Sequence, residues 1–160
     1  MNKKGGTYVL VILVETQLCL RIGRLGLYDF PEGYYTYVGS ALGGLDSRLK
    51  RHFRADKRYH WHIDYFLKSA GIKEVWYTYS QQKLECIWNR AIARLPGARH
   101  PIPKFGASDC DCFSHLTHMS TIPLIESFRE KLKEIGCPSG HIKSVSFPYA
   151  NVDILSQSIE

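Results

Sequence analysis

Three short stretches of this sequence combine residue types that can do chemistry. From Arg48 to Arg58, six of eleven residues are basic (Arg48, Lys50, Arg51, Arg54, Lys57 and Arg58) and only Asp56 is acidic. Such a patch suits a polyanion, because Lys and Arg that neutralise phosphates release condensed counterions. It also reads as the solvated face of a helix. Directly after it comes His60-Trp61-His62-Ile63-Asp64. HxHxD opens some dinuclear metal sites, but Tyr65 follows where a further His is needed. The two histidines diverge on a helix, so at most one is expected to line a cleft, as a structural residue or a proton shuttle. The third stretch, Cys110-Asp111-Cys112-Phe113-Ser114-His115, has with Cys86 or His118 enough sulfur and nitrogen for zinc. Its C-x-C spacing is tighter than the usual C-x2–4-C, and the role expected instead is a loop packed over a neighbouring helix. A Cys–His nucleophile lacks an orienting carboxylate or oxyanion hole at recognisable spacing.

These residues need elements to position them. Tyr8–Val14, Leu18–Gly23 and Gly33–Gly39 read as strands, with turn chemistry in Asp29-Phe30-Pro31-Glu32-Gly33. Within the third, alternation puts Tyr35 and Tyr37 on one face. From Leu45 the period lengthens: Leu45, Leu49 and Phe53 predict a helix of about three turns. A second helix is expected over His60–Lys68, a strand over Ile72–Tyr79, and a helix capped by Ser80 with a stripe of Leu84, Ile87, Trp88, Ala91, Ile92 and Leu95. Residues 98–119 read as irregular. A last helix is expected from Ile122 to Ile135, a strand over Ile142–Phe147, and a polar, disordered end.

The chain has 160 residues, enough for one domain with a real core. With 44% hydrophobic and 22% charged residues it is globular in composition. The apolar run Tyr8–Val14 is too short to cross a bilayer, and no signal-type cleavage site follows it. Five scattered cysteines, an odd number, suggest a reducing cytoplasmic compartment rather than a disulfide scaffold. The net charge of +6 is uneven: residues 1–105 hold 17 Lys/Arg against 8 Asp/Glu, whereas residues 106–160 hold 4 against 7. The basic part is the part expected to meet nucleic acid.

Gly6-Thr7-Tyr8 followed by Tyr37-Val38-Gly39-Ser40-Ala41, then Arg48 and His52 four residues apart, resembles the GIY-YIG nuclease superfamily. That group includes homing endonucleases and the incision domain of nucleotide-excision repair. The closer likeness is to a small domain-of-unknown-function branch, found alone or fused to DNA-repair glycosylases. It is carried further by His60-Trp61-His62-Ile63-Asp64, Glu85-Cys86 and Phe105–Leu116, in that order, over about residues 5–118. On the residues alone Tyr37 reads as packing, Arg48 and His52 as a basic surface, and Glu85 as a glutamate placed for a helix dipole. The joint order and spacing are what single them out.

The resemblance implies a small mixed or antiparallel sheet flanked by helices, an α+β fold. It implies Tyr8 and Tyr37 at one cavity, handling the attacking water. Arg48 and His52 would share the phosphate, and Glu85 would bind Mg²⁺ or Mn²⁺. Gly39 and Ser40 would let DNA approach closely, with His60, His62 and Asp109 auxiliary and Ser108 near the cleft. Lys50, Arg51, Arg54, Lys57 and Arg58 would contact DNA, or RNA as the other polyanion. The expected activity is a metal-dependent endonuclease of DNA repair or processing, and the competing reading is a catalytically silent nucleic-acid-binding module. Between Tyr8 and Tyr37 lie 28 residues, longer than the usual linker, so Glu15–Glu32 is expected to add a strand or hairpin to the sheet. The nuclease-like domain is placed at residues 1–120, with a C-terminal helix and tail over 121–160. No separate DNA-binding module follows, so specificity is expected from the basic helix, the insertion or a protein partner.

Overall fold

The computed structural model describes residues 3–139 and 141–147. Its main sheet is antiparallel and five-stranded, in the order β6-β4-β1-β5-β7. The central strand β1 (Gly6–Val14) pairs with β4 (Gly33–Ala41) and with β5 (Gly71–Tyr79). The edges are β6 (Leu116–Met119) and β7 (Lys143–Ser146). β1 is apolar from Val9 to Val14 because both its faces are covered. Tyr8, Leu10, Ile12 and Val14 face one core, and Val9 and Val11 face the other.

On the first face lie α1 (Leu45–Phe53), α2 (His62–Leu67) and a separate hairpin, β2 (Leu18–Ile22) with β3 (Gly26–Phe30). On the second lie α3 (Glu85–Ala93) and α4 (Ile125–Glu134), whose Phe128 stacks on Trp76 with ring centroids 5.2 Å apart. The protein is thus α+β, with helices on both faces of an antiparallel sheet.

Several local expectations shift. The Glu15–Glu32 insertion does form a hairpin, but it pairs with itself and packs on α2 through Phe30 and Phe66 (4.9 Å between ring centroids). Among the described residues the main sheet is widened by β6 and β7 instead. β6 falls inside the stretch expected to be irregular; its four residues are too few to show a period. Ser80 does not cap α3. Its Oγ accepts from the Gln82 N–H in a turn, and α3 starts at Glu85. α4 is shorter than Ile122–Ile135. The polar end beyond residue 147 lies outside the described residues.

Candidate active site

β1 and β4 run so that Tyr8 pairs with Gly39, and Leu10 with Tyr37. Tyr8 and Tyr37 are therefore diagonal neighbours on one face rather than opposite each other, with ring centroids 6.5 Å apart. Gly39 is required by this register. A Cβ there would stand 2.4 Å from the Tyr8 ring, which lies across the glycine. Gly106 does the same for Tyr37: it has φ +66°, and a Cβ would come within 2.8 Å of the ring.

Beside the two tyrosines opens a cavity of about 490 Å³. Arg48 enters from α1, where its guanidinium donates to the Ser40 carbonyl oxygen at 3.0 Å and lies 4.2 Å from the Trp61 ring centroid. Glu85 reaches it from the first turn of α3, and Ser108 and Asp109 from the following loop. Gly39 and Ser40 complete the wall beside β4. Both His60 and His62 line the cavity, against the expectation of one. The reason is that α2 begins only at His62, so His60 precedes the helix and the two do not diverge. His62 Nδ1 accepts the Gly106 N–H at 2.9 Å, which puts the ring proton on Nε2; burial lowers its pKa.

His52 does not line the cavity. It is 3% exposed, and its Nε2 sits 2.6 Å from the Tyr8 hydroxyl. Its expected reach to a phosphate is therefore corrected: helical spacing aligns it with Arg48, but the longer arginine reaches past it while His52 is covered by Tyr8 and Tyr37. Burial pushes its pKa down to about 3, helped by nearby Lys57, so the imidazole is neutral. Burial likewise raises the Tyr8 phenol, with Arg48 pulling partly the other way, and raises Tyr37.

Residues 7–137 match the family model described as Domain of unknown function DUF123. The chain belongs to that family. The DUF123 region holds every residue around the cavity and extends through α4, further than the motifs alone reach. Nothing matches among the curated proteins or the solved structures.

The DUF123 basic segment divides by partner. Arg51 forks onto Asp64, Nη1 to Oδ1 at 2.7 Å and Nη2 to Oδ2 at 2.9 Å, and Asp64 Oδ2 also accepts the N–H groups of His60 and Trp61. Lys57 donates to the carbonyls of Arg51 and His52 at the end of α1, and burial lowers its pKa. Arg51 and Lys57 thus brace the end of α1 while still lining the basic groove expected to meet nucleic acid. Asp64 is withdrawn from any HxHxD metal site by the same pairing. Lys50, Arg54 and Arg58 remain exposed. Arg54 and Arg58, with Arg51 and Lys57, line a groove of about 510 Å³ that shares His60 with the main cavity.

Trp61, like Gly106, lines the cavity without a sequence-based role: an aromatic between two histidines carries no signal of its own. It lies within 4.2 Å of the Arg48 guanidinium and 4.4 Å of that of Arg51. Behind Glu85 is a second cluster. Ligand atoms of Cys86, Cys110, Cys112 and His115 lie within 4.8 Å of one another. His118, the other candidate, is instead on β6 with its Nε2 beside the Glu32 carbonyl (2.9 Å). Burial and the neighbouring Cys112 and Cys110 thiols push the Cys86 thiol up to about 12.

Proposed function

We propose that the chain is a divalent-metal-dependent endonuclease of the GIY-YIG type, hydrolysing phosphodiester bonds in DNA during repair or processing. One observation carries the reading: Tyr8, Tyr37, Arg48 and Glu85, from β1, β4, α1 and α3, line a single cavity beside a basic groove.

The side chains fit the needs of the reaction. Phosphodiester hydrolysis requires an activated water and stabilisation of charge at phosphorus. Arg48 is already oriented by the Ser40 carbonyl and Trp61, so its fork meets a phosphate at little cost in entropy. Tyr8 faces the water. Its hydroxyl is held 2.6 Å from the neutral His52 Nε2, which fixes the phenol where it can orient the attacking water. Glu85, with Asp109 on the same wall, offers the hard oxygen donors that suit Mg²⁺ or Mn²⁺, an ion that keeps most of its waters. When bound, such an ion supplies charge for the leaving oxygen. Arg54, Arg58 and Lys50 guide the strand, and a protein partner supplies further specificity.

The test is nicking of supercoiled plasmid and branched DNA with Mg²⁺, comparing wild type with Glu85→Ala and Arg48→Ala. Cleavage that needs the ion and is lost in both variants supports the enzyme. Binding without cleavage of either DNA, equal in all three proteins and weakened only by salt, identifies a silent binding module instead.

A further inference from the structure

We propose that Cys86, Cys110, Cys112 and His115 bind one zinc ion in a tetrahedral Cys3His site. Four donors come from two places, Cys86 from the first turn of α3 and Cys110, Cys112 and His115 from the end of the 98–115 loop, and meet within 4.8 Å. Ligand atoms around a tetrahedral zinc with bonds of about 2.3 Å stand about 3.8 Å apart, so the four need only small movements to close on an ion. The donor set is soft, three sulfurs and an imidazole, which favours zinc over the hard ion suited to Glu85.

The second observation concerns His115, which is 1% exposed. Its Nε2 faces the Cys110 sulfur at 3.4 Å, and its Nδ1 faces Glu85 Oε1 at 3.1 Å, bent from the line of the N–H. A histidine that gives one nitrogen to a metal and turns the other to a carboxylate is the usual arrangement at zinc. Zinc takes Nε2, and the three thiols release their protons to solvent on binding.

The site has a structural task. Residues 98–115 contain no strand or helix among the described residues, yet they supply Gly106, Ser108 and Asp109 to the cavity. The loop is held by the buried ring of Phe105 and by the Asn89 amide donating to the Ser114 carbonyl at 2.8 Å. Zinc ties the remaining part, 110–115, to α3 one residue from Glu85. The inference concerns the fold of this chain and stands whatever reaction the cavity performs.

The test reads metal directly. Chain purified under reducing conditions without chelator is analysed by elemental mass spectrometry, beside Cys86→Ser, Cys110→Ser and Cys112→Ser, with Cys19→Ser and Cys137→Ser as controls. One zinc per wild-type chain, kept by the controls and lowered at least tenfold by each of the first three, is the expected result. Cobalt added to metal-stripped wild type reads the ligands without any variant, through thiolate charge-transfer and tetrahedral d–d bands. Metal-free reduced protein that takes up no cobalt, iron in place of zinc, a disulfide among the three thiols, or zinc unchanged in Cys86→Ser overturns the proposal.

Discussion

The Tyr8 hydroxyl lies 2.6 Å from His52 Nε2, and both side chains are almost wholly buried. Tyr8 separates the histidine from the cavity, so the two act in series rather than side by side. A buried imidazole with its pKa pushed to about 3 is neutral and not a cation for phosphate. His52→Ala should therefore release the Tyr8 phenol and lower nicking by about 10²-fold, the usual cost of a misplaced group, while DNA affinity changes little. Single-turnover cleavage and a binding titration on the same DNA separate the two effects. Weaker binding with unchanged turnover would return His52 to the phosphate.

The same histidine makes stability depend on pH. Its folded pKa lies below the unfolded value of about 6.5, so the unfolded chain binds the extra proton between the two. Its contribution is fully present above pH 6.5 and is lost as pH falls towards 3, by at most about 1.4 kcal/mol per unit. His62 shifts in the same direction, His115 in the opposite one, and Asp64 acts at lower pH. Denaturant midpoints of wild type and His52→Gln from pH 7 to 4 should show a shallower fall in the variant. Equal slopes would remove His52 from the account.

Gly39→Ala should impair the site without touching any charged group. Its Cβ would meet the Tyr8 ring at 2.4 Å, so ring or strand must move, at about 1–3 kcal/mol for overpacking. The melting temperature should fall, and nicking should fall further than that loss explains because Tyr8 leaves His52. A variant with wild-type melting and wild-type nicking would mean the ring has somewhere else to go.

Within the basic segment, neighbours should behave differently. Arg51→Ala leaves the fully buried Asp64 carboxylate with only backbone partners, costing about 2–3 kcal/mol. Asp64 has its pKa lowered by Arg51 and those N–H groups against the cost of burial, so this stability is lost on acidification below its unfolded pKa. Arg54→Ala and Arg58→Ala should melt like wild type, and each should flatten the salt dependence of DNA binding by about 0.9 in log–log slope. Thermal unfolding and binding at several salt concentrations check both halves.

Glu85 lines the main cavity and faces His115 of the Cys86, Cys110, Cys112 and His115 cluster, and two variants separate the tasks proposed for it. Glu85→Gln keeps an oxygen to accept from His115 Nδ1 but loses the anionic charge, so nicking should vanish while zinc stays. Glu85→Ala loses both, and zinc affinity should drop about 10–100-fold. Nicking is measured with Mg²⁺ present, the metal-free control is made by dialysis because EDTA strips both ions, and zinc content is read on the same preparations. Full nicking by Glu85→Gln would remove its carboxylate from the reaction.

Most elements were legible because their signals are local. β1 and β5 announce themselves by apolar, β-branched and aromatic runs, and α1 by Leu45, Leu49 and Phe53. The cavity residues were legible only as an ordered set, since Glu85 or Tyr37 alone looks like any surface glutamate or packed tyrosine. Errors fell where a signal was short or two outcomes shared one signal. β6 has four residues, and the basic run treats Arg51 and Arg54 alike although one is paired and one is exposed.

By itself the sequence determined the elements, the charge on one side of the chain and the inventory of reactive groups, because propensity, period and composition act between near neighbours. Tertiary structure alone decided partners. It put His52 behind Tyr8 from 44 residues away, gave Arg51 to Asp64, and closed Cys86 upon Cys110, Cys112 and His115. Contacts of that kind depend on strand register and on which helix face is covered, and neither is written in any single stretch of chain.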